Sequence, residues 1–309
     1  KAADGTKITL LANAAVGAVN LKGKTVTLDL NGKTVKNSGR GSAPIQIVSS
    51  NSPAKLIITG SGSFISVDQV LVVANGTLDL SQWTGDNSYI WHVTISGANS
   101  RFISPAGAGK IDRLAFTGSD TERSADTASL NGGRYDEIAY RRSKTIKLGD
   151  LLAEGYAFRQ NGTFLEYAKE LKNKDTVKKV EVVKCPHPDA KDGKCLYCNQ
   201  TGILARVGDT TYDDVGKAVK DWLANGGTLK LYADYTAVDG TWSISSGTWG
   251  SGSHTINLNG HRMSVQGNGA FQPTNKMRLT VTDGKEIGRI ENILLDGSQG
   301  WSFTLESGH

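Results

Sequence analysis

Thr27-Leu28-Asp29-Leu30-Asn31-Gly32 alternates polar and apolar residues and ends in an Asn-Gly turn. Alternation at period two sends Leu28 and Leu30 to one side of a strand and Asp29 to the other. Asn tolerates the left-handed backbone of a sharp corner, and its amide can satisfy backbone groups buried there. The pattern returns as Thr255-Ile256-Asn257-Leu258-Asn259-Gly260. A recurring strand-and-corner unit is the signature of coils stacked along an axis.

Further short strands extend outward from this motif: Ile8–Leu11, Ile45–Val48, Leu56–Ile58, Val70–Val73, Leu78–Leu80, Val93–Ile95 and Leu114–Phe116. Each is brief and rich in β-branched residues, and Gly or Asn usually follows. The 37 Gly against 6 Pro fit a turn-rich, mainly β chain, and 38% hydrophobic content suits thin coils with a narrow core. The form of the strands favours a parallel β-helix; a pair of β-sandwiches is the next choice.

The second motif has company. Gly227-Thr228-Leu229-Lys230-Leu231-Tyr232-Ala233-Asp234 resembles Gly5 to Asn13, so the chain reads as two copies of one β-helix module. The expected division is a first module at 1–140, a small α+β linker at 141–208, and a capping helix with a second, truncated module at 209–309. Val215, Ala218, Val219, Trp222 and Leu223 have the spacing of one buried helical face, with Thr211 as its cap and Asn225-Gly226-Gly227 as its stop. Such a helix would cover the open end of a coil stack.

All three cysteines fall in Cys185-Pro-His187-Pro-Asp189-Ala-Lys-Asp192-Gly193-Lys-Cys195-Leu-Tyr-Cys198. A C-x-H pair and a C-x-x-C pair separated by a short polar loop form the ligand set of a closed tetrahedral Zn²⁺ site. Four protein ligands leave no place for water, so such a metal is structural. Two alternatives stand beside this: a Cys195–Cys198 disulfide, and Asp189 or Asp192 in place of His187.

The helix followed by Gly-Thr-Leu-Lys-Leu-Tyr-Ala-Asp and Ile-Asn-Leu-Asn-Gly, with Leu-Leu-Ala-Glu-Gly-Tyr-Ala-Phe at 151–158 ahead of the cysteines, resembles the right-handed parallel β-helix modules of Gram-positive surface adhesins. The resemblance implies an extracellular, wall-attached protein, acting as adhesin or extended scaffold toward a host glycan or host surface protein, and a monomer. Zinc ligation would protect three reduced thiols outside the cytosol.

Other function classes find less support. Net charge of +5 is spread over 35 basic and 30 acidic residues, which argues against a nucleic-acid partner. No apolar run is long enough to span a bilayer. The start at Lys1 reads as an excised piece.

A carbohydrate-active enzyme on the same scaffold is the competing class. Asp29 and Asp79, each between two Leu, are expected to face solvent; Asp112 is expected to have no acidic neighbour; His92, His254 and His261 stand apart as surface or turn residues. No catalytic residue is therefore expected. Aromatic side chains are the better clue to a ligand: Trp83, Tyr89 and Trp91 crowd one stretch, and Trp242 and Trp249 flank a Ser/Gly-rich insertion. Exposed rings can stack on sugars, although such residues also close gaps in a solenoid.

Overall fold

A computed structural model describes residues 2–37, 45–48, 52–65, 71–85, 89–96, 100–107, 109–118, 128–237, 253–266, 278–283, 288–291 and 302–306. Short strands stack in parallel as a β-solenoid. They form two compact units, one of Lys1–Cys185 with Tyr197–Asn199 and one of Pro186–Leu196 with Gln200–His309.

In the first unit a six-stranded parallel ladder runs through Thr6–Thr9, Thr25–Asp29, Lys55–Gly60, Thr77–Trp83, Arg101–Ile103 and Ala128–Ser129. A second face carries Val19–Lys22, Ile45–Val48, Leu71–Ala74, Tyr89–Ser96, Lys110–Thr117 and Arg134–Arg141, again parallel. Ala14–Val16, Lys33–Asn37 and Gly62–Ile65 make a third. Stacking in register turns each inward position into an apolar column. Ile47, Val73, Ile95, Phe116 and Tyr140 are successive partners, and all are buried. Each coil buries little alone, and the column supplies the core.

The Asn-Gly corners work as their chemistry suggests. Asn31 has φ 47°, its amide donates to the Leu10 carbonyl of the preceding coil at 3.0 Å, and its own N–H donates to the Asp29 carboxylate at 3.1 Å. Asn259 repeats all three features: φ 50°, a side-chain bond to the Leu231 carbonyl at 3.2 Å, and an N–H bond to Asn257 at 3.0 Å. One coil down, Asn13 accepts from the Thr34 N–H and Asp234 accepts from the Arg262 N–H, both at 2.9 Å. The left-handed backbone is thus held by two hydrogen bonds, one of them from the side-chain amide that Gly lacks.

Parallel stacking ends at Arg134–Arg141. Thr176–Lys184 pairs with it antiparallel, then with Tyr156–Gln160, which turns back onto Thr163–Phe164. Ile146, Leu148, Leu151, Phe158, Leu171, Val177, Val180 and Val182 join the core of the coils. The stretch from 141 to 185, expected as linker, therefore closes the end of the first unit. Its Thr176–Val183 alternation is a strand with one face on that core.

The second unit stacks Gly227–Leu231, Ser253–Asn257, Arg278–Thr282 and Ser302–Leu305 in parallel, beside Tyr235–Ala237, Arg262–Val265 and Arg289–Ile290. Its helix spans Val215–Asn225, with Asp214 as cap accepting from the Lys217 N–H at 2.9 Å. Thr211, expected as the cap, lies in Thr210–Tyr212, which forms a hairpin with Ala205–Val207. Pairing in that hairpin claims the Thr211 backbone, so the helix starts later, capped by Asp214. Val215, Ala218, Val219 and Trp222 are buried as the spacing predicts, and Gly226 at φ 74° ends the helix.

Candidate metal centre and solvent-facing side chains

Strand Thr176–Lys184 delivers Cys185, whose N–H donates to the Gly155 carbonyl at 2.8 Å. His187 follows with φ 48° between two prolines. Ala190–Lys191 and Lys194–Cys195 then form a hairpin around Asp192 and Gly193, both at positive φ (51° and 70°). Two positive φ values at a two-residue turn match the twist of the strands, which explains Asp-Gly at this point. The Cys195 N–H bonds to the Gln200 carbonyl at 2.9 Å and closes the turn that carries Cys198, while Asn199 takes φ 59°.

One ligand atom from each of Cys185, His187, Cys195 and Cys198 lies within 4.8 Å of the others. The three cysteines are buried and form no disulfide, so the disulfide alternative is not adopted. A tetrahedron with metal–sulfur bonds of 2.3 Å sets ligand atoms about 3.5–3.8 Å apart. A contraction of no more than about 1.3 Å would therefore complete the shell. This is a group that could hold a metal ion, with all four sequence-predicted ligands in it.

Asp189, weighed as a substitute ligand, is occupied elsewhere: its carboxylate accepts from Lys230 Nζ and from the Ala190 N–H, at 3.0 and 3.1 Å. Asp192 lies in the hairpin turn, outside the group. The Tyr232 hydroxyl donates to the Pro188 carbonyl at 3.0 Å, with Lys230 Nζ 5.2 Å from its ring centre. Burial, with Asp189 nearby, pushes the Tyr232 phenol well above its ordinary value, so it stays a donor. Lys230 and Tyr232 belong to Gly227–Leu231 and its continuation, so the ligand loop is fastened to the first coil of its unit.

The aromatic candidates separate. Trp83 is 2% exposed, and its indole N–H donates to the Gly62 carbonyl at 2.9 Å. That ring lies in the core and offers no face to a ligand. Tyr89 is half-buried, and Trp91 is 39% exposed. Trp242 and Trp249 lie outside the described residues.

Strand Tyr89–Ser96 pairs with Gly62–Ile65 at Ile90 and with Leu71–Ala74 from Val93 onward, so it bends between two faces at Trp91 and His92. The following coils put Asp112-Arg113 and Asp136-Glu137 at the same register. Asp112 thus has an acidic neighbour, correcting the sequence expectation. In a solenoid the neighbour stands one coil further on, not in the adjoining sequence. Lys110 Nζ lies 3.0 Å from Asp112 and 2.8 Å from Asp136, and those two carboxylates raise its pKa. Arg113 pairs with Glu137 at 3.0 Å. His92 is held below its ordinary pKa by burial and by Arg113.

The other polar candidates have structural partners. His254, expected at the surface, is buried with its ring edge-on to Trp222 at 5.1 Å, and His261 Nδ1 lies 3.3 Å from Asp234. Asp29 pairs with Lys7 at 3.2 Å. Asp79 is mostly buried, contrary to the expectation of a solvent-facing residue, and its strand shifts register just beyond it, between Asp79 and Gln82. Burial alone would raise its pKa, but Lys55 at 2.8 Å and the Ser81 hydroxyl and amide outweigh that and bring it below 3.8. A depressed carboxyl contributes stability that is complete above the unfolded value and is lost as the pH falls through the folded one. Asp79→Asn should therefore flatten the decline of stability below pH 3.8, read by urea unfolding across pH 2–5 (about the carboxylate range). An unchanged slope would show the Lys55 pair to be energetically silent.

One further surface feature was not foreseen: a cavity of about 360 Å³ lined by Gly132, Gly133, Arg134, Tyr156, Glu181 and Lys184 among others. It joins residues from three strands of the closing sheet, which no local motif announces. No helix among the described residues is long and apolar enough to cross a membrane. Comparison of the chain with protein-family models, curated proteins and solved structures returns no match.

Proposed function

We propose that this chain is part of a bacterial surface protein, an adhesin or extended scaffold, whose Cys185, His187, Cys195 and Cys198 hold one structural Zn²⁺. The observation that carries the reading is the convergence of four protein ligands, three of them buried thiols, on one point of a β-solenoid. Soft thiolates with one imidazole favour zinc, and a filled shell leaves no open position for chemistry.

The matching geometry around Asn31 and Asn259 supports descent of the two units from one β-helix module, with the metal-binding segment 185–198 joining the copies in sequence. The right-handed form, the extracellular Gram-positive setting and a monomeric state follow from the adhesin resemblance. Trp91, exposed on a bend, is the face offered to a host glycan or host surface protein.

Elemental analysis of the purified chain should find about one zinc per chain, with thiols that react only after chelation. Trp91→Ala should keep the zinc and lose retention on glycan arrays and host cells. Absence of metal would remove the zinc reading, and undiminished retention of the variant would remove the role of Trp91. A second reading, a carbohydrate-active enzyme, is favoured by one observation: Asp112 and Asp136 stand together beside Trp91. Lys110 neutralises both, which suits an ion-pair network better than a free acid and base.

A further inference from the structure

The cavity of about 360 Å³ lies where the coils of the first unit meet the sheet that closes them, and every residue lining it belongs to that unit. Part of its lining is bare backbone. Gly107 and Gly133 come from successive coils, joined by a bond from the Gly133 N–H to the Gly107 carbonyl at 2.9 Å, and the Gly133 carbonyl accepts from the Val182 N–H at 3.0 Å. The remainder is side chains from three neighbouring strands, with Arg134 opposite Glu181 and Tyr156 opposite Lys184. Packing and conformation account for two of the glycines that line the space. A Cβ at Gly132 would come 2.3 Å from the Pro105 carbonyl oxygen, and Gly133 takes φ 93°, which side chains rarely adopt. Gly107 has neither constraint: its φ lies outside the left-handed region, and a Cβ there would meet no atom within 4 Å. The fold does not require the glycine that helps to keep this cavity open.

Charge and size say what would enter. Arg134 and Lys184 line the cavity against a single carboxylate, Glu181, to which Arg159 Nε also donates at 2.8 Å. The balance is cationic, so an anionic group is favoured. A planar carboxylate matches a guanidinium fork, and Glu181 has acceptor sites enough to serve a hydroxyl beside Arg159. Tyr156 and Val183, both half-buried, add apolar surface. The volume is near the lower end of small-molecule sites, about 300–1,000 Å³, which suits one sugar ring. We propose that this cavity binds a carboxylate-bearing monosaccharide. Arg134 and Lys184 receive the carboxylate, Glu181 accepts from ring hydroxyls, and Tyr156 covers the apolar face of the ring. The site uses neither Trp91 nor the four metal ligands and rests on neither of those readings.

The test is calorimetric titration of the full chain with the methyl glycoside of glucuronic acid, with methyl glucoside as the uncharged ring and acetate as the charge alone. The uronate should bind with a Kd of about 1 mM or tighter, and the other two at least about tenfold more weakly. Gly107→Leu should abolish binding and leave thermal unfolding unchanged, and Arg134→Ala should weaken binding by about tenfold or more. Trp91→Ala should bind the uronate as the native chain does, which separates this site from the glycan face at Trp91. Absence of uronate binding, equal binding of acetate or methyl glucoside, loss of binding in Trp91→Ala, or undiminished binding by Gly107→Leu would each overturn the proposal. Should Gly107→Leu fail to fold, Arg134→Ala and Lys184→Ala decide, and unchanged binding by both would overturn it.

Discussion

Cys195→Ser is expected to release the metal and lower the stability of the chain by roughly 3 kcal/mol or more. Structural zinc contributes on the order of 10 kcal/mol in small domains, because ligand binding and folding are one equilibrium. A serine hydroxyl neither ionises at neutral pH nor matches a thiolate for zinc, so a three-ligand remnant keeps a fraction of that. The loss should be local at first. The Cys195 N–H to Gln200 and Leu196 N–H to Asp189 bonds depend on the turn the metal would gather, and their amides should exchange early. The Asn31 corner belongs to a separate set of coils and should keep its protection.

Asp189→Asn is the control. It removes the charge that faces Lys230 without touching the four ligands, so metal content should stay near one per chain. Chelation of the native chain should reproduce the serine variant. If the chelated and metal-loaded forms melt together, or if the serine variant still binds metal in equal amount, the four residues have been given the wrong role.

The parts of this architecture that were legible in the sequence are those in which a few adjacent residues carry the whole instruction. Asn31-Gly32 and Asn259-Gly260 specify a corner locally, through a tolerated φ and two short-range or next-coil hydrogen bonds. Cys-x-His and Cys-x-x-Cys specify a ligand set because both halves sit on turns. The helix at 215–225 was legible through its buried face, and its start was misplaced because strand pairing at Thr210–Tyr212 is decided by a partner strand.

What the sequence concealed depends on coil register. Asp112 and Asp136 are neighbours only once the coil length is known, and the cavity at Arg134 and Tyr156 needs the antiparallel closing sheet. The extent of the first unit was concealed for the same reason. The stretch 141–185 has no Asn-Gly corners, yet its apolar face completes the core.

The tryptophans give the second large prediction, since identical residue types eight positions apart have opposite environments. Trp83→Ala should cost about 3–5 kcal/mol, within the range for deleting a buried aromatic side chain. Its ring is enclosed by two glycines: a Cβ at Gly85 would come 2.5 Å from the ring, and one at Gly109 would come 2.6 Å from it. Neither glycine can supply atoms to refill the space, so the cavity would stay open and the Gly62 carbonyl would lose its indole donor. Trp91→Ala removes a ring that already meets solvent and should change stability by less than about 1 kcal/mol. Urea unfolding of the two variants, followed by exchange at the 77–96 amides, separates them. A mild Trp83→Ala would mean that the coil collapses around the deletion, and the two-glycine enclosure would lose its force. A costly Trp91→Ala would mean that the bend at Trp91 and His92 is held by that ring, and its solvent-facing side would then be structural surface rather than a place for a sugar to stack.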